Sequence, residues 1–209
     1  MNTNKFVRLN ITFKLPENIA EKAIGLSREI SKNNEAFFVL DNVQFHPHIT
    51  IYSPEYPEKN LGKALEKVAE IASNTEKVNL TLKGIISGQG FIGVKFNYTQ
   101  EIKKIHERIV LELNSLREGY IREKYTVDDY KMNFTQEQQE NIKKYGYPDS
   151  MGLYLPHLTI IRLKDEQLAK AVLEEIRWDI LEFTIEKVAI YEMGEHGTCR
   201  ELVKKFNLK

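Results

Sequence analysis

The chain has 209 residues, 42% of them hydrophobic and 29% charged, which is enough apolar material for a full core in one large domain or two small ones. Thirty acidic side chains cancel thirty basic ones, so there is no global positive field to gather long nucleic acid. A duplex-coating protein is disfavoured; a small anionic ligand, or an RNA end in a locally basic cleft, is not.

In chain order, "MNTNKFVRLNITFKLP" alternates polar and apolar residues and lacks the roughly 7–15-residue apolar core of a signal peptide. No run approaches the ~18 apolar residues that span a bilayer, so a soluble, cytoplasmic protein is expected. "FVRLNITF" reads as a strand with Val7, Leu9, Ile11 and Phe13 on one face, and residues 16–34 as an amphipathic helix entered at Pro16. "AFFVL" and "HITIY" are short strands, and "EKNLGKALEKVAEIASN" is a helix. "VNLTLKGIISG" and "FIGVKFN" form a hairpin around Gly88, Gln89 and Gly90. A helix over about 100–117 follows, with His106 expected at its surface among polar neighbours.

The segment 118–154 breaks this rhythm. It is polar and tyrosine-rich, with one short helix expected to end near Gly146-Tyr147-Pro148, and it reads as an insertion: a lid over a site or a structural strap. Beyond it, "HLTIIRL" is a strand, "DEQLAKAVLEEIRW" a helix, and "LEFTIEKVAIYEM" with "RELVKKFNL" a final strand pair. The order histidine strand, helix, strand, strand thus occurs twice. It predicts an α+β fold built by internal duplication, its strand pairs joined by hairpin-like turns rather than alternating parallel βαβ units.

At the head of each half stands the same motif, "QFHPHITIY" at 44–52 and "LPHLTIIR" at 155–162. Side chains alternate along a strand, so His48 and Thr50 share one face, as do His157 and Thr159, while Ile49, Ile51, Leu158 and Ile160 face the core. Two such strands side by side would converge two imidazoles and two hydroxyls on one spot. Hydroxyls can donate to phosphate oxygens, and two imidazoles, one neutral and one protonated, can act as base and acid on a phosphodiester. His46 and His48 also have the spacing of a metal pair, but the single cysteine, Cys199, and the absence of an HExxH helix leave such a site without further ligands, and no metal or cofactor is expected.

On "HITI" and "HLTI", with "VRLNITFKLPENIAEKA" at the start and "FTIEKVAIYEM" near the end, the sequence resembles the 2H phosphoesterase superfamily, the LigT-like proteins once named 2′-5′ RNA ligases. The resemblance covers nearly the whole chain apart from the insertion at about 118–154, and implies a single bilobal α+β domain over 1–209, with two antiparallel-rich sheets facing a pseudo-twofold cleft and helices outside. It further implies metal-free chemistry at 2′-linked phosphates, with His48 and His157 as the acid–base pair and Thr50 and Thr159 holding the phosphate. "YGYP" shortly before "PHLTI" is similar to a bacterial branch associated with phosphonate metabolism. The expected partner is a nucleotide or RNA end carrying a 2′-linked phosphate, met by a monomer.

For substrate contacts the candidates are Tyr52, on the His48–Thr50 face, and Phe45, Tyr154 and Tyr191 as stacking aromatics. Lys95 is a further candidate. Arg162 would hold phosphate, although strand parity places it opposite His157 unless the strand bulges. The reaction expected is hydrolysis of a 2′,3′-cyclic phosphate. Its rivals are hydrolysis of 2′-5′-linked or cyclic signalling oligonucleotides at the same site, non-catalytic nucleotide binding, and a histidine-metal hydrolase.

Overall fold

A computed structural model describes residues 5–127 and 133–209. The strands are β1 (Phe6–Lys14), β2 (Ala36–Val39), β3 (Ile49–Tyr52), β4 (Glu55–Pro57), β5 (Val78–Gly88), β6 (Phe91–Phe96), β7 (His157–Leu163), β8 (Glu182–Ile185), β9 (Lys187–Met193) and β10 (Cys199–Asn207). The helices are α1 (Glu17–Ser31), α2 (Leu61–Ser73), α3 (Gln100–Asn114), α4 (Gln136–Tyr145) and α5 (Glu166–Leu173). The fold is α+β, with an antiparallel sheet and these five helices outside it. Among the described residues no helix is long and apolar enough to cross a membrane.

The sheet runs β10-β9-β1-β3-β7-β6-β5-β8, with β2 added to β7 and β4 to β1. Its order exchanges the two sequence halves. The β5–β6 hairpin follows the first histidine strand, β3, yet pairs with the second, β7. The β9–β10 hairpin follows β7 yet pairs with β1, the neighbour of β3. The second motif is therefore paired with chain that follows the first, while the first keeps β1 between itself and the hairpin that follows the second.

Local chemistry sets most boundaries where the sequence placed them. Thr99 caps α3 by accepting from Ile102 N, and Thr135 with Gln138 forms a reciprocal capping box at α4, which ends at Gly146 with φ 70°. Two expectations are corrected. The last helix stops at Leu173 instead of running to Trp178, because Ile176 and Trp178 are both buried at a spacing of two, which suits extended chain. "LEFTIEKVAIYEM" is not one strand: it breaks at Glu186, sending β8 to β5 and β9 to β1.

A third correction concerns His106, which is fully buried rather than at the surface. Its Nδ1 donates to the Ile51 carbonyl at 2.8 Å, its Nε2 accepts from Met151 N at 2.8 Å, and its ring stacks on Tyr154 with centroids 4.0 Å apart. It thereby ties α3 to β3 and to the segment leading into β7. Helical periodicity did place position 106 one residue after Ile105; an imidazole bonded at both nitrogens is accepted in the core as readily as an apolar ring.

Burial lowers the His106 pKa to about 4. Between that value and the ~6.5 of an unfolded histidine, the unfolded chain binds a proton that the folded chain excludes, so stability is complete above pH ~6.5 and falls as pH drops through the window. The loss attributable to His106 should reach on the order of 3 kcal/mol below pH ~4. His48, described below, contributes in the same sense. Urea unfolding from pH 7 to pH 4.5 should show this decline in wild type and a shallower one in His106→Gln; identical slopes would remove His106 from the account.

Candidate active site

The two motif strands lie side by side and antiparallel, in register at Ile49 and Leu158. These are equivalent positions, each directly following its histidine, so a local twofold axis passes between them. Extending that register puts His48 beside Thr159 and Thr50 beside His157, all on one face. The other face carries Ile49, Ile51, Leu158 and Ile160, each wholly buried. The four polar side chains line a cleft of about 640 Å³.

Each imidazole is oriented in the same way. His48 Nδ1 donates to the carbonyl of His46 and His157 Nδ1 to that of Leu155, both at 2.8 Å. The carbonyl belongs to the residue two positions back, and a proline, Pro47 or Pro156, lies between. Proline has no N–H and restricts the residue before it to extended conformations, which sets where that carbonyl points. Because a carbonyl only accepts, Nδ1 must hold a hydrogen, and Nε2 is left for proton transfer. Burial at the cleft floor is the main influence on His48 and outweighs its bond to the His46 carbonyl; His157 and His46 add to the same lowering, bringing its pKa to about 4. His48 is therefore neutral at pH 7. Thr50 Oγ1 accepts from Asn10 Nδ2 at 2.9 Å, which leaves the threonine's own hydrogen for another acceptor.

Arg162 lies in the cleft despite its parity, because β7 bulges. Thr159 pairs with Gly93 and Ile161 with Ile92, so Ile160 is an extra residue on β7. Ile160 and Ile161 are both buried, and Arg162 returns to the His157–Thr159 face. Its guanidinium lies 4.5 Å from the Phe91 ring centre and 4.9 Å from that of Phe37, with Nη1 donating to His196 Nδ1 at 3.0 Å. Gly93 makes the close strand approach possible: a Cβ there would sit 2.6 Å from the Leu158 carbonyl oxygen.

The remaining sequence candidates lie elsewhere. Tyr52 is fully buried and donates to the Tyr145 carbonyl at 2.5 Å, and Tyr154 is buried and donates to the Thr50 carbonyl at 2.9 Å. Both phenols tie the 118–154 segment to β3. Phe45 packs on Phe38 with Arg200 over its ring. Tyr191 and His46 face each other, with ring centres 5.2 Å apart, in a separate pocket beside Lys14, so His46 and His48 do not converge on a metal. Lys95 stands opposite His157 in the β6–β7 register but does not line the cleft.

Sequence reasoning missed several cleft residues: Arg8, Arg122, Lys124, Tyr147 and His196. For Arg8 a signal existed, since it shares the polar face of β1 with Asn10 and Thr12. The others sit in irregular segments where no periodicity marks orientation.

The 2′-5′ RNA ligase superfamily profile matches residues 40–197, a span that holds both motifs. The chain belongs to the 2′-5′ RNA ligase superfamily. Solved structures agree on the fold. TT0787 of Thermus thermophilus is 16% identical with a TM-score of 0.57, the match covering 96% of this chain and 97% of that one. Escherichia coli LigT in apo form is 14% identical with a TM-score of 0.57, covering 98% and 99%. LigT complexed with 3′-AMP is 12% identical with a TM-score of 0.57, also covering 98% and 99%. No curated protein matches the sequence.

The second motif is positioned through the β6–β7 contact, so Gly93→Ala should lower unfolding free energy by about 1–3 kcal/mol, the usual cost of overpacking. Urea denaturation at pH 7 measures it, and an unchanged midpoint would mean that the strands yield at no cost.

Proposed function

We propose that this protein is a metal-independent phosphodiesterase that opens 2′,3′-cyclic phosphates of nucleotides or RNA ends. The observation that carries the reading is the register at Ile49 and Leu158, which gathers both imidazoles and both threonine hydroxyls on one face of the sheet. The complex of LigT with 3′-AMP supports a nucleotide ligand for this fold.

In this reading the phosphate sits between the two motifs, with Thr50 and Thr159 donating to its non-bridging oxygens and Arg162 offering its guanidinium to the same charge. His48, held neutral by burial, takes a proton from water at Nε2. The water oxygen bonds to phosphorus as the phosphorus–O3′ bond breaks, and His157 Nε2 delivers its proton to the departing O3′. The products are a 2′-phosphate and a free 3′-hydroxyl, with one proton accepted and one given. Ring strain in the cyclic diester lowers the barrier that the two histidines must cover.

Hydrolysis of a panel of 2′,3′-cyclic mononucleotides, with a chelator present throughout, tests the reaction. Wild type should turn over at least one of them to the 2′-phosphate, and His48→Ala and His157→Ala should each lose roughly 10²–10⁴-fold in rate. Full activity in both variants would end the assignment; tight binding without turnover in wild type would replace it with a nucleotide-binding role.

The pH profile tests which histidine is the base. A base must be unprotonated, so kcat/KM should fall as acid protonates His48, with a limb nearer the folded value of about 4 than the ordinary ~6.5. A limb centred near pH ~6.5 would reverse or discard the assignment of roles.

A further inference from the structure

Away from the histidines, the cleft holds a second concentration of positive charge. Arg8 on β1 and two residues of the insertion, Arg122 and Lys124, line one wall together. The three groups raise one another's energy. Burial, and then Arg122, hold the Arg8 guanidinium below its ordinary value; burial, then Arg122 and Arg8, bring Lys124 down to about 8.

For the two arginines, compensation is partial. Glu55 Oε1 lies 2.9 Å from Arg122 Nε, and Glu55 faces Arg8 across the β1–β4 pair. Arg122 Nη1 is shut off from solvent and has no hydrogen-bond partner among the described residues. The Arg8 guanidinium likewise forms no side-chain hydrogen bond or ion pair with any described residue, the phenols of Tyr125 and Tyr147 and the Glu55 carboxylate acting on it through their fields. Like charges gathered in a partly dry wall are unfavourable by themselves and become favourable when an anion joins them. Guanidinium N–H groups suit phosphate oxygens in particular.

The location fits one ligand reaching both ends of the cleft. Arg8 is two residues along β1 from Asn10, whose amide holds Thr50. Two residues of strand span roughly 6.6–7 Å, about one step from the place where Thr50 would meet the scissile phosphate.

We propose that Arg8 and Arg122, with Lys124 beside them, form a second phosphate subsite, so that the preferred ligand is a nucleotide carrying a further phosphoryl group in addition to the one between the histidines. This deepens the reading above and rests on it for the position of the first phosphate. Charge selects the ligand here. A nucleoside with a single cyclic phosphate brings no further negative charge to Arg8 and Arg122, and a doubly phosphorylated one does.

Calorimetric binding of three product-like probes tests the subsite without any turnover: adenosine 2′-monophosphate, adenosine 2′,5′-bisphosphate and a 2′-phosphorylated adenosine dinucleotide. Wild type should bind the bisphosphate or the dinucleotide at least tenfold more tightly than the monophosphate. A gain confined to the bisphosphate identifies a terminal phosphate as the occupant, and a gain confined to the dinucleotide identifies an internucleotide one.

Arg8→Gln and Arg122→Gln should each erase that gain while binding the monophosphate as wild type does, which also shows that they fold; Arg122→Lys, keeping the charge, should retain most of it. Equal affinities for all three probes in wild type, no binding of any, or a gain that survives both glutamine variants overturns the proposal. The two readings fail separately. Phosphate-dependent binding without hydrolysis removes only the enzymatic reading, and hydrolysis without the tenfold gain removes only the subsite.

Discussion

One backbone pairing, Ile49 with Leu158, holds this molecule's chemistry together. It is the point where the two stretches of sheet join, and it is also the point about which the two motifs are related. Because each motif alternates polar and apolar residues, a single register fixes four side chains on the cleft face and four in the core. A slip of one residue would bury both histidines and expose Ile49, Ile51, Leu158 and Ile160. The large apolar penalty for that slip makes the register, and with it the site, a by-product of core packing. The histidines need no special loop to find one another.

Around that seam the protein spends its buried polar groups on tethers. Tyr52, Tyr154 and His106 each bond to backbone of the insertion or of β3, and Arg117 holds Asn114 Oδ1 and the carbonyls of Tyr120 and Lys144. Each tether satisfies a group that would be costly if left alone, so the described part of the 118–154 segment is docked by bonds that are buried or partly so. Its far side is thereby presented to the cleft as a wall carrying Arg122, Lys124 and Tyr147. The described part of a segment that is irregular in sequence thus has a defined place in the fold.

Much of the candidate site was legible in the sequence because it rests on strand alternation, which is local. His48, Thr50, His157 and Thr159 follow from two matching strings. The α+β class and most elements follow from period and caps. What was not legible depends on pairing between distant segments. The bulge at Ile160 exists only against Ile92 and Gly93, and without it Arg162 would point to the wrong face. The aromatic candidates failed for a related reason: a tyrosine beside a motif looks the same in sequence whether its hydroxyl meets a ligand or a carbonyl. Tyr52 and Tyr154 meet carbonyls. His106 was misplaced because its two hydrogen-bond partners, Ile51 and Met151, lie 55 and 45 residues away.

The exchange of strands between the halves bears on how the chain must fold. β1, near the start, pairs with β9, near the end, Ile11 meeting Ile190, so that edge of the sheet closes only when almost the whole sequence between them is in place. Contacts of such separation are costly in loop entropy and form slowly. The seam at Ile49 and Leu158 spans a shorter loop, so the order of assembly favours the site before the sheet's outer edge.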